Sequence, residues 1–340
     1  MVFFNFLYKN LAIDLGTANT IIVKDNEIVV NEPSIIAVNS KGNLIAIGHE
    51  AFIMHEKTHS DIKTIKPLKD GVIANYQAAE LMIRGMIKMV NKNKYFATLF
   101  DKVVICIPSG ITDVEKRAVK DSAEHTGAKS VYMVYEPLAA SIGMGIDIFE
   151  PKAAMIIDIG GGTTEIAIII LAGIVCDQSV KIAGNVFIQD IIEYVRKNYN
   201  MYIGEYTAEQ IKISIGAACE NIDNPPEPMN IYGRDIVTGI PRMITLGYKD
   251  IIPALERSLC VIEEAVLQVL EVAPPELSYD LYERGVILTG GGALLRGLDK
   301  RLSNKIKLNV HIAENPLNAV ARGTNMILND MERYKAVLVS

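Results

Sequence analysis

The stretch IIDIGGGTTEIAI, residues 156–168, sets Asp158 two residues ahead of three consecutive glycines, followed by two threonines and Glu165. Three glycines in a row cost chain entropy on folding, so a tight turn or a ligand that the bare backbone must approach has to compensate. The apolar runs on either side read as β-strands meeting at that turn. A related stretch lies upstream. IDLGTANTI (13–21) and IDIGGGTTE (157–165) share Asp, a branched aliphatic, Gly and, six residues after the Asp, Thr. The second copy begins 144 residues after the first, and both sit between apolar strands. The repeat reads as an internal duplication and predicts an α/β protein with two similar halves facing one cleft.

Around the first copy, apolar runs at 11–13, 21–23 and 28–30 are broken by Gly16 and the polar turn KDNE. A further hairpin is expected at 34–48 around Lys41–Gly42. Consecutive hairpins, in place of strand–helix alternation, predict a mixed sheet. Helical spacing follows over 74–92, then a buried strand KVVICIP (102–108). Thr112 with Glu115 gives a capping-box pattern, and VYMVYEP (131–137) leads from strand to helix. After the second copy come an amphipathic helix at 187–199, a helix at 207–218 with Thr207 as its expected N-cap, and a Pro-rich loop and hairpin at 220–235. A long helix at about 251–272, a glycine turn in TGGGALLRGL (289–298), a short strand VHIAE and a helix from about 317 complete the pattern.

With 340 residues, the chain exceeds a single comfortable core, so two domains are expected. Half of the residues are hydrophobic and 22% are charged, which excludes wholesale disorder. A formal charge of −6 argues against a nucleic-acid surface, which needs a basic face. Cys106, Cys176, Cys219 and Cys260 lie far apart with no CxxC pair, the pattern of reduced core thiols in a cytoplasmic protein. No secretory leader is visible, and the longest uncharged run (166–176) is too short to span a bilayer.

Two Asp-then-Gly turns suit a nucleotide: glycines expose backbone N–H groups to phosphate, while Asp14 and Asp158 suit a hydrated Mg²⁺. The third cluster, Gly290, Gly291 and Gly292, lacks a Walker lysine and is expected to flank the base and sugar. Phosphoryl chemistry also needs a group to orient the nucleophile, and Glu136, in YEPLAAS, is the best candidate. HEKTH (55–59) matches the zinc-protease string HExxH, but its polar flanks favour a loop, where two histidines cannot share a helix face.

LAIDLGTANTIIV, IKPLKDGVIANY, VVICIPSGITDVEKRAV, YEPLAASIG, IIDIGGGTTEIAI, GRDIVTGIP, VILTGGGALLRGLDKRL and AENPLNAVARGT together resemble the MreB family of bacterial actins, from about residue 11 to 330. The resemblance implies the actin/Hsp70/hexokinase-like fold, with ATP or ADP and Mg²⁺ in the cleft between two duplicated domains. Their expected extents are 1–145 plus 318–340, with a small lobe inserted at about 33–70, and 146–317, with a small lobe at about 185–245. It implies an ATPase that forms paired antiparallel filaments and lies, cytoplasmic, on the inner face of the cell membrane. Its implied partners are further copies of itself, family paralogues, membrane shape proteins and lipid. Carried over by motif, Asp14 and Asp158 serve the metal, and Gly16, Thr17, Ala18, Asn19, Gly160, Gly161, Gly162 and Thr163 lie at the phosphates. Glu136 positions the attacking water with help from Thr163, while Glu209, Lys212 and Gly290, Gly291 and Gly292 lie near ribose and adenine.

Membrane contact in the family comes from an N-terminal apolar segment and a loop ahead of the VVICIP strand. Phe3, Phe4, Phe6, Leu99 and Phe100 occupy those places. Some positions depart from the family pattern: HEKTHSDI replaces GRTPGNI, and AGNVFIQDI replaces AGDEMDEAI, which loses acids at Asn185 and Ile188. These departures, with the abundance of Ile, Asn and Lys, resemble a divergent paralogue of a wall-less lineage, where the filament serves shape or swimming. The alternative is a sugar kinase of the same fold, which needs an Asp base in a sugar pocket, and no such segment stands out.

Overall fold

The structure is a computed structural model that describes the backbone of residues 8–90 and 99–339 and the side chains of 10–90 and 100–339. Phe3, Phe4 and Phe6 lie outside the described residues. The chain divides into two units. The first holds the residues up to Pro151, the short segment Ile169–Ile174 and the stretch from Leu317 onward; the second holds Lys152–Ile168 and Val175–Pro316.

The first unit opens with β1 (Tyr8–Leu15), β2 (Asn19–Lys24) and β3 (Glu27–Pro33), three strands joined by tight turns. Asp25 and Asn26 take positive φ, the backbone a two-residue hairpin turn requires and one that Asp and Asn adopt readily. An inserted lobe follows, made of β4 (Ile36–Asn39), β5 (Leu44–Ile47), α1 (His49–Met54) and β6 (Ile62–Ile65). The short hairpin β7 (Leu68–Lys69) and β8 (Val72–Ile73) leads out of it. Then come α2 (Tyr76–Val90), β9 (Leu99–Ile107), α3 (Asp113–Glu124), β10 (Ala128–Tyr135) and α4 (Glu136–Gly143). The capping box of α3 is formed: the Thr112 hydroxyl accepts from Glu115 N–H, and the Glu115 carboxylate accepts from Thr112 N–H.

The second unit begins with β11 (Ala154–Ile159), β12 (Thr164–Ile170) and β13 (Gly173–Val180). It continues with α5 (Gly184–Tyr199), β14 (Met201–Tyr202), α6 (Glu205–Ile215), β15 (Met229–Asp235) and β16 (Pro241–Leu246). Thr207 is not the N-cap of α6: that helix starts at Glu205, behind Gly204, and Thr207 lies inside its first turn. The long α7 (Tyr248–Val272) is followed by α8 (Ser278–Arg284), β17 (Val286–Thr289), α9 (Leu298–Ile306) and β18 (Val310–Ile312). Arg301 of α9 is ion-paired with Glu256 and Glu263 of α7, which neutralises the buried Glu263. The chain then returns to the first unit with α10 (Ala319–Asn329) and β19 (Leu338–Val339).

Among the described residues, the main sheet of the first unit runs β3-β2-β1-β9-β10-β19, and that of the second runs β13-β12-β11-β17-β18. The two orders correspond strand for strand, apart from β19. In the first, β1, β9 and β10 are parallel; in the second, β11, β17 and β18 are. The duplication read from two nine-residue stretches is therefore a duplication of sheet topology.

Phe100 corrects one expectation. It is 1% exposed and packed in the core with Leu11, Val103 and Val131, because β9 is an inner strand between β1 and β10. It is unavailable to lipid. Leu99 opens β9, and its side chain lies outside the described residues. Among the described residues, no helix is long and apolar enough to cross a membrane.

Candidate functional site

In an open α/β sheet, ligands bind beyond the carboxyl ends of the parallel strands. In the first unit that edge carries Asp14 near the end of β1, Cys106 near the end of β9 and Glu136 directly after β10. The strand register pairs Ile13 with Ile105 and Val134 with Cys106, which brings Asp14 level with Cys106 and leaves Glu136 two residues beyond the partner of Cys106 at the same edge. Burial pushes Asp14 up to about 6, partly offset by the Cys106 thiol donating to its Oδ1 at 3.2 Å. Burial, with the charges of Asp14 and Glu136 nearby, pushes the thiol well above its ordinary value, so it stays protonated. A carboxylate this costly to ionise without a partner fits a site that receives a cation, and hard carboxylate oxygens suit Mg²⁺.

The turn after Asp14 is fixed from two directions. A Cβ on Gly16 would sit 2.6 Å from Asn19 O, so the turn's own backbone requires glycine there. Ser34 Oγ donates to Gly16 O at 2.6 Å, Ser34 N–H donates to Ala18 O at 2.8 Å, and Thr20 Oγ1 lies 2.9 Å from Ser34 Oγ. From the far side of the inserted lobe, Gly71 N–H donates to Thr17 Oγ1 at 3.0 Å. Ala18 and Asn19 are left exposed at the tip, while Thr17 is buried.

In the second unit, the corresponding edge carries Asp158 near the end of β11, in register with Thr289 of β17. Gly160 N–H donates to Thr163 O at 3.0 Å and closes the β11–β12 turn. A Cβ on Gly160 would meet only Thr163 O, at 3.4 Å, an ordinary contact, so the turn's packing does not itself demand glycine there. The first turn of α5 abuts the same loop: Gly184 N–H donates to Gly160 O at 3.1 Å and Asn185 N–H to Gly161 O at 2.8 Å. Lys212 Nζ lies 3.4 Å from Gly184 O and 2.6 Å from Glu209 Oε2, which joins Glu209 and Lys212 of α6 to the glycine turn. The loss of acids noted at Asn185 and Ile188 falls on this helix: its first turn carries none, and its first N–H groups are met by the carbonyls of the glycine turn instead.

Gly290, Gly291 and Gly292 follow β17 and pass into a short 3-10 turn, Gly291–Leu294, not directly into a helix. Gly290 has φ 80°. A Cβ on it would strike Asp158 and the Ile159 carbonyl, and one on Gly292 the Ile159 side chain. Close approach to β11 is thus a structural reason for two of these glycines. HEKTH is a loop after α1, with His55 Nδ1 2.9 Å from Thr64 Oγ1, so its histidines do not share a helix face. Ser34, Gly71 and Cys106 carry no signal of a site role in the sequence. The side-chain hydrogen bonds that tie them to the first turn span 18 to 92 positions, a range at which no local pattern reveals them.

A profile of the MreB/Mbl protein family matches residues 8–336. The sequence is 46% identical to the cell shape-determining protein Mbl of Bacillus subtilis over 327 residues, 96% of this chain and 97% of that protein. It is 44% identical to the cell shape-determining protein MreB of Escherichia coli over 338 residues, 98% of this chain and 96% of that one. Among solved structures, MreB5 of Spiroplasma citri bound to ADP is similar with a TM-score of 0.90 and 39% identity, over 96% of this chain and 98% of that one. Its complex with AMPPNP gives a TM-score of 0.88.

Proposed function

The chain belongs to the MreB/Mbl family and has an actin-like fold, and from that premise we propose that it binds and hydrolyses ATP, assembles with copies of itself into filaments and lies on the inner face of the cell membrane, where it governs shape or motility. One observation carries the nucleotide reading: two sheets of the same strand order each end, at corresponding strands, in an aspartate followed by a glycine-bearing turn. The ADP and AMPPNP in Spiroplasma MreB5 support it, and the names of the Bacillus and Escherichia relatives support a role in cell shape.

In this reading Gly16 to Asn19 and Gly160 to Thr163 hold the phosphates through backbone N–H groups and threonine hydroxyls. Glu209, Lys212 and the Gly290–Gly292 turn take the ribose and adenine. Asp14 and Asp158 hold Mg²⁺, which when bound neutralises charge on the phosphate oxygens. Glu136 orients the attacking water, with help from Thr163. Phe3, Phe4 and Phe6 supply the apolar membrane contact, with lipid, family paralogues and membrane shape proteins as partners.

The test is sedimentation of the purified chain with and without ATP, combined with phosphate release. ATP-dependent pelleting with release of phosphate is the expected result. Failure to pellet in every nucleotide state, together with transfer of the phosphoryl group to a sugar, would overturn the filament reading in favour of a kinase.

A further inference from the structure

Cys106 is 2% exposed and sits on β9, between β1, which carries Asp14, and β10, which leads directly into Glu136. Its Sγ is 3.2 Å from Asp14 Oδ1 and 3.6 Å from Ile13 O. A thiol has one proton to give, and the carboxylate is both the nearer and the stronger acceptor. We propose that Cys106 is a positioning residue for Mg²⁺ binding: its S–H holds Asp14 Oδ1 and so fixes the rotamer in which the carboxylate meets the metal. The proposal rests on the nucleotide reading above.

The physical need is clear from the surroundings. Asp14 is a short side chain at the end of a strand, and a free carboxylate there rotates about χ2 through a broad well. Groups that hydrogen-bond a metal-ligating carboxylate fix its orientation, and removing such a partner commonly lowers metal affinity by about 10- to 100-fold. A buried thiol is suited to the task. It donates one weak hydrogen bond, which orients the carboxylate without taking much of its basicity. It also fills its place in the β1–β9–β10 core as a small hydrophobe.

The experiment titrates Mg²⁺ against the full chain at fixed ADP and follows the rise in melting temperature. Cys106→Ser, Cys106→Ala and Cys106→Val are compared with the parent, and ADP binding in EDTA is measured alongside. Serine keeps a donor, alanine removes it, and valine removes it while filling the volume. The expected result is a half-saturating Mg²⁺ concentration raised about tenfold in the alanine and valine variants. Serine should restore the parent value, and ADP binding in EDTA should be unchanged throughout. Parent-like Mg²⁺ dependence in Cys106→Val overturns the proposal, and so does a serine variant as impaired as valine, because packing alone would then explain the loss. If the parent chain itself shows no Mg²⁺-dependent stabilisation by ADP, the nucleotide reading falls and takes this proposal with it. Because two variants of different volume lack the donor, a folding failure in one leaves the other to decide.

Discussion

Glu136 is the first helical residue of α4, followed by Pro137, a proline where a helix tolerates it best. A carboxylate there is favoured by the helix dipole whether or not it touches a substrate, so its catalytic role needs a kinetic test. Glu136→Ala should leave ATP bound and slow single-turnover phosphate release about 100-fold, the lower range for loss of a positioned base. Release at the parent rate would remove Glu136 from that role. Glu136 could be picked out in the sequence because a strand, an acid and a proline stand in a row. Cys106 reads in the sequence only as a core thiol, since the acceptor that gives it meaning is Asp14, 92 positions away. Ser34 was hidden for the same reason: its hydroxyl reaches back to Gly16 across a whole hairpin.

Glu136 is held by the packing of α4 on α10. Gly143 closes α4, and a Cβ there would run into Ala319 O and lie 2.7 Å from Gly323 N. A Cβ on Gly323 would strike Ala139 O and come within 2.9 Å of Gly143 N. The two helices touch backbone to backbone, and a single methyl must push them apart. Gly323→Ala should therefore cost about 1–3 kcal/mol, the usual range for overpacking. It should also slow hydrolysis, because α4 carries Glu136. An unchanged melting temperature would show that the contact yields freely. At this scale the sequence was most legible where partners are local. The turn at Asp25–Asn26 and the capping box at Thr112 and Glu115 depend on neighbours within three residues. The burial of Phe100 is not legible locally because it depends on β1 and β10, which flank its strand in space but not in sequence.

For the molecule as a whole, the burial of Phe100 leaves the membrane reading to the first seven residues and to Leu99. Deleting residues 2–7 should lower co-sedimentation with liposomes while ATP hydrolysis stays within about twofold of the parent, since chain termini generally tolerate truncation better than core elements. Undiminished lipid binding would move the contact elsewhere. Substituting Phe100 would instead open the core and confuse the test. The two units differ in one further respect: the second is nearly continuous in sequence, whereas the first needs α10 against α4 and β19 against β10. During synthesis, residues 317–339 follow the whole second unit out of the ribosome. The first unit, though begun first, therefore cannot close its sheet until its younger copy has been made. Its early strands must wait with an open edge beside β10, the interval in which a chaperone would find most to hold.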